Sequence, residues 1–236
     1  MVRHLHRNIE QLKKKIFTLC ALVEETVIKA LESFSNGDLR LATRVVREDI
    51  DIDRMEIAVE EYCLQILALN QPVANDLRFI VATLKMNNDL ERIGDLAVNI
   101  AQQTLVLSHN TRPEIPADLG DMAQKARNML KTSLDSLVNL DADQARAVLD
   151  EDDEVDAGLR RMYGLFKEKI GEQPNCVDSF MCLLMVARHL ERIADLATNL
   201  AEDVIYLVEG EIVRHQHKVK MKDDSIQEQK GNSDGK

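Results

Sequence analysis

Eight carboxylates recur in register along this 236-residue chain, at the spacing of oxygen ligands on helix faces. Residues 90–103 read LERIGDLAVNIAQQ, and residues 190–203 read LERIADLATNLAED. The two segments lie 100 residues apart and agree at Leu, Glu, Arg, Ile, Asp, Leu, Ala, Asn and Ala. Each sets acids or amides at i, i+4, i+8 and i+12: Glu91, Asp95, Asn99 and Gln103 in the first, Glu191, Asp195, Asn199 and Asp203 in the second. On an α-helix that spacing is one continuous stripe. Projection at about 100° per residue gathers Leu90, Ile93, Leu96, Ala97 and Ile100 on one side and Glu91, Asp95 and Asn99 on the other. The stripe is therefore expected to face solvent. Like charges at i,i+4 destabilise a helix by roughly 0.2–0.5 kcal/mol per pair. A single ExxxD is ordinary solvated surface. Acids and amide kept in both copies point instead to a hard cation, which takes several oxygen ligands and turns repulsion into attraction.

One stripe supplies too few ligands, and a second acidic patch stands in each half. Glu48-Asp49-Ile50-Asp51-Ile52-Asp53 matches Glu151-Asp152-Asp153-Glu154-Val155-Asp156 at an offset of 103. Both hold a DxxxD pair, Asp49 with Asp53 and Asp152 with Asp156. In an antiparallel hairpin the early part of one helix lies beside the late part of the next, so DxxxD can face ExxxD across axes about 8–10 Å apart. Glu48 and Glu151 project toward the apolar side of their helices, where they either bend back to the site or pair with a neighbouring arginine. With Asn99 and Asn199 they form the supporting set. Oxygen donors without thiolate favour magnesium, calcium, manganese or oxidised iron over structural zinc. His189, whose counterpart is Asp89, stays outside the ligand set.

The elements that must carry these residues are helical. Only 9 Gly and 4 Pro occur, 45% of residues are hydrophobic and 3% aromatic, so the core is packed from aliphatic side chains. The pattern predicts helices over about 3–34, 39–69, 73–108, 117–139, 142–172 and 177–215. Asp38 and Asp141 read as N-caps, and Gln71-Pro72 and Gln173-Pro174 as stops. Cap, proline and stripe recur at offsets of 100 to 103. The expected fold is thus all-α, two pseudo-symmetric three-helix bundles of six long helices: a first repeat over 1–109, a linker over 110–116, a second repeat over 117–216, and a disordered charged tail over 217–236.

A net charge of −11 argues against nucleic acid as a partner. Cys20, Cys63, Cys176 and Cys182 form no CxxC pair and read as small core residues. The longest apolar run, 180–187, is far too short to span a bilayer, and no signal peptide is visible, which makes the cytoplasm the expected location.

The tandem ERIxDLAxNxA stripes, each preceded by ExDx(D/E)xD within a duplicated three-helix unit, closely resemble the PhoU family over about residues 3–215. The resemblance implies a regulator at a high-affinity phosphate transporter. Its partners would be the ATPase subunit of the phosphate-specific ABC transporter and a membrane phosphate-sensor histidine kinase, through which alone it would meet the membrane. It also implies a homodimer, for which Val98 on the flank of the stripe helix is the expected apolar surface. Metal ions (iron, manganese, magnesium, calcium or zinc) would bind at Glu91, Asp95, Asp49, Asp53, Glu191, Asp195, Asp152 and Asp156. The unlike stripe ends, Gln103 and Asp203, put the equivalence of the two sites in question. The rival readings are a carboxylate-bridged di-metal enzyme and a purely structural scaffold. The first requires inward-facing Glu-x-x-His pairs, and the chain contains none. No G-x-S-x-G elbow or P-loop occurs either, so no enzyme is expected.

Overall fold

A computed structural model gives the placement of residues 2–108 and 114–213. Six α-helices follow in order: α1 (Val2–Asn36), α2 (Leu39–Asn70), α3 (Ala74–Leu107), α4 (Ala117–Asn139), α5 (Ala142–Glu172) and α6 (Val177–Glu209). A single 3-10 turn, Pro174–Cys176, precedes α6, and no strand occurs among the described residues. Helices α1, α2 and α3 pack on one another, as do α4, α5 and α6, and α3 lies against α6. The expected all-α pair of three-helix bundles is present. Of the expected linker only 114–116 is described, and it is not helical; the tail from 217 lies outside the described residues.

The helix ends obey local chemistry. Asp38 accepts hydrogen bonds from the backbone N–H groups of Arg40 and Leu41 at 2.9 and 3.0 Å. Asp141 accepts from Asp143 and Gln144, both at 3.0 Å. Each cap contributes about 1 kcal/mol. Gln71 leaves the helix in the left-handed conformation, φ 46°, the common way a helix ends, and Pro72 follows it directly. The last helix ends at Glu209, six residues before the expected 215. Gly210, at φ 79°, closes it by donating its N–H to the Tyr206 carbonyl at 2.9 Å, a C-terminal stop that glycine adopts without a Cβ penalty.

The stripe helices are covered on two sides. Leu90, Ile93, Ala97 and Ile100 of α3 are buried, as are their counterparts Leu190, Ile193, Ala197 and Leu200 of α6. Val98 is buried as well, 7% exposed, at the position equivalent to Thr198. This corrects the expectation that Val98 offers an outer apolar surface, because α3 packs both into its own bundle and on α6. Burial pushes the Cys20 and Cys63 thiols up to about 12, so both stay protonated core residues. No helix among the described residues is long and apolar enough to cross a membrane.

Candidate metal centres and the cleft between them

Contacts at their ends fix how the stripe helices cross. Lys85, near the start of α3, places Nζ 3.7 Å from Oδ1 of Asp203, near the end of α6. The same Nζ lies 5.1 Å from the ring centre of Tyr206, and Arg78 caps that ring at 5.9 Å. The two helices therefore run antiparallel. At the other end of this pseudo-twofold seam the equivalent residues are Met185 and Gln103, so only one end can be closed by charge. Asp203 is 1% exposed, and this overturns the expectation that the whole stripe faces water. The unlike stripe ends reflect unlike partners across the seam.

In the first half, α2 brings Asp49 and Asp53 beside Asp95 and Glu91 of α3. Burial, then Asp53 and Asp95, raise the Asp49 carboxyl above its usual range. Burial, then Asp95, Glu56 and Asp53, raise Glu91. In the second half burial, then Asp195, Asp156 and Asp152, raise Glu191. The two helices of each half thus juxtapose the acids that the spacing singled out. Glu48 does not join them: its carboxylate takes Arg44 Nε at 2.6 Å and Lys29 Nζ at 2.9 Å, which hold it below the usual range. Glu151 is exposed. His189 is buried, and burial, then Arg192 and Arg188, favour its neutral ring.

Sequence reasoning missed Glu56. It accepts from Asn87 Nδ2 at 2.9 Å and carries a raised carboxyl beside Glu60 and Asp53. The signal was available, because Asp49, Asp53, Glu56 and Glu60 continue one helical row. The second half has Leu159 and Ala187 where the first has Glu56 and Asn87, so the first cluster holds one more carboxylate.

Carboxylates from two helices, held close despite repulsion, are a donor set suited to a hard cation. They stand as facing pairs. Among the described residues no three or more His, Cys, Asp or Glu side chains converge into a finished metal shell. Asp49, Asp53, Glu91 and Asp95 would hold an ion in the first half, and Asp152, Asp156, Glu191 and Asp195 in the second.

Folding raises the carboxyls of Asp49, Glu91 and Glu191, so in mildly acid solution the folded chain binds more protons on these three than the unfolded chain. In chelator, stability from these groups should therefore rise as pH falls from about 7 toward about 5, while depressed carboxyls such as Glu48 lose their share only lower. Thermal melts of wild type and E91Q/D95N across that range test this; an equal slope in both proteins would exclude the cluster as its source.

Gly94 sets how closely α2 approaches α3. A methyl there would sit 3.0 Å from Ile52 Cδ1 and 3.9 Å from Asp49 Oδ1. The second half has Ala194 at this place. Gly94→Ala should be nearly neutral, the gain of about 1 kcal/mol in helix propensity offsetting a small shift of Ile52. Gly94→Leu should cost about 1–3 kcal/mol by overpacking and should weaken cation binding in the first half alone. Denaturant melts and metal titration of the two variants check this pair of outcomes.

Asp95 and Asp195 also look into one shared space. A cleft of about 590 Å³ runs along the seam, lined by Arg92, Asp95, Asn99, Arg192, Asp195 and Asn199 in pseudo-equivalent pairs, with Thr198 and Glu202 beside them. The arginines belong to the repeated motif, yet helical projection of one repeat gave no reason to single them out.

The PhoU domain matches residues 16–104 and 119–204. A phosphate-specific transport system accessory protein PhoU homolog from Aquifex aeolicus is 37% identical over 213 residues, 90% of this chain and 96% of that protein. The phosphate-specific transport system accessory protein PhoU of Escherichia coli K12 is 30% identical over 88% of this chain and 86% of its own length. The crystal structure of PhoU from Pseudomonas aeruginosa superposes with a TM-score of 0.84 at 32% identity, covering 87% of this chain and 99% of that one.

Proposed function

The chain belongs to the PhoU family, and from that premise we propose that it is a metal-binding regulator of phosphate uptake and phosphate-starvation signalling. It acts in the cytoplasm by contact with the ATPase subunit of a phosphate transporter and with a phosphate-sensor histidine kinase. The observation that carries the metal part is the duplicated facing of DxxxD and ExxxD, which raises Asp49, Glu91 and Glu191 together. The regulatory part rests on relatives named as accessory proteins of phosphate transport. Self-association is included, with Ile50, Ile57 and Leu64 as its apolar surface: they are 50, 51 and 53% exposed and seven residues apart on α2.

Cross-linking the tagged full-length protein in phosphate-replete cells, followed by mass spectrometry of the membrane fraction, tests the partners. Transporter and kinase subunits should be enriched over an unrelated tagged protein. Their absence from both replete and starved cells would sink the regulatory reading. Sedimentation velocity at micromolar concentration tests the dimer, which a single monomer boundary would exclude.

A further inference from the structure

A second cavity, of about 490 Å³, opens where α1, α3, α4 and α6 come together. Ile9, Phe17, Phe79, Val138, Leu140 and Val208 give it an apolar lining, and the last three remain 53, 50 and 41% exposed. The chain leaves α6 beside this opening. Gly210 turns it in the left-handed conformation, close against Arg78 of the cavity wall: a Cβ there would lie 2.7 Å from Arg78 Nη1. Three residues on, Val213 packs against the core. The cations of the wall are already engaged, Lys13 by Glu10 at 2.8 Å and Arg78 by the Tyr206 ring. Asp76, half-buried in the same wall, joins no ion pair among the described residues.

The sequence that continues from here matches the opening in chemistry. Residues 214–222 read RHQHKVKMK, with Arg214, Lys218, Lys220 and Lys222 and no acid, in a chain of net charge −11. Val219 and Met221 alternate with the lysines, so in an extended segment the two apolar side chains share one face. Met221 lies eight residues beyond Val213, a reach of up to about 26–29 Å. We propose that residues 214–222 return to this cavity and seat Val219 and Met221 in it, with a lysine of the segment on Asp76. Burial of the two apolar side chains supplies the attraction, and a basic segment against an acidic body adds to it. The tether gives the segment an effective concentration that any free ligand or partner must overcome. The contact is thus an autoinhibitory plug, and it is independent of the metal reading.

Fluorescence of the apolar dye ANS tests this on the full chain, for wild type, V219D/M221D and the same variant with V138N/L140N added. Val138 and Leu140 are exposed, and Leu140 sits at φ 53°, which asparagine tolerates, so the variants are expected to fold, with circular dichroism matching wild type. V219D/M221D should release the plug and raise ANS fluorescence several-fold over wild type. Adding V138N/L140N should abolish the rise. Equal fluorescence in wild type and V219D/M221D overturns the proposal, and so does a rise that survives V138N/L140N. Because the chain has no tryptophan, Met221→Trp supplies a single second reporter. Its emission should be blue-shifted, unchanged on dilution of the protein, and returned to that of solvated indole by V138N/L140N. Solvated emission in Met221→Trp alone overturns the proposal. A blue shift lost on dilution does so too, because it puts the segment on a second copy of the chain.

Discussion

Saturating Mn2+ should raise the melting temperature of the wild-type protein by about 10–20 °C, and that of E91Q/D95N by only about half as much. A ligand at 100 times its dissociation constant stabilises the native state by about 2.7 kcal/mol per site. For a chain of this size each kcal/mol moves the midpoint by about 2–4 °C. Two sites therefore give twice the shift of one, and the double substitution removes only the first. The metal-free variant should melt at the wild-type temperature or slightly above it. Glu91 and Asp95 repel one another and their α2 neighbours, and burial adds to the strain on Glu91. Metal analysis should find two ions in wild type and one in the variant. Equal shifts in both proteins, with two ions still bound to the variant, would falsify the assignment.

Phe166→Ala should cost about 3–5 kcal/mol, the usual loss for an aromatic core residue. Phe166 of α5 is 2% exposed and stacks on Phe180 of α6, ring centres 5.7 Å apart. This pair locks the two helices that carry the second cluster. The first half has Cys63 and Ile80 at the equivalent places, so the change opens a cavity in one half alone. Denaturant melts should show the loss, and Mn2+ titration should show weaker binding at the second site with the first unchanged. Phe166→Leu, which refills most of the space, should recover much of both. A loss of less than about 1 kcal/mol for Phe166→Ala would mean that the stack does not hold α5 against α6.

Whatever followed from local chemistry was legible in the sequence. Asp38, Asp141, Pro72 and Pro174 mark their helix ends because capping and proline geometry act within a few residues. The facing of DxxxD with ExxxD follows from hairpin connectivity and a common period. The contact between the halves was not legible in the same way. Projection of one repeat assigns one buried face, whereas α3 and α6 each have two, and so Val98 and Asp203 were placed in water. Small residues along both helices, Ala97, Ala101, Ala194, Ala197 and Ala201, were the available sign of a second close neighbour, and all are buried. Arg92 and Arg192 gain their meaning only across that seam. Gly210 is a local helix stop as well, but the apolar pattern continues through Ile212 and Val213 and outweighs it, so the sequence pattern carries the last helix on to 215.

A twofold arrangement of separate identical chains repeats every substitution at both ends of its interface. Within one chain each half can be altered alone. The fifth carboxylate, Glu56 anchored by Asn87, exists on one side only. On the metal reading proposed above, its extra negative charge would make the first centre the stronger attractor for a cation. Two unequal centres would then fill in sequence rather than together, and metal titration of the wild-type chain should show two separated steps across a broader span of ion concentration than a symmetrical pair would give.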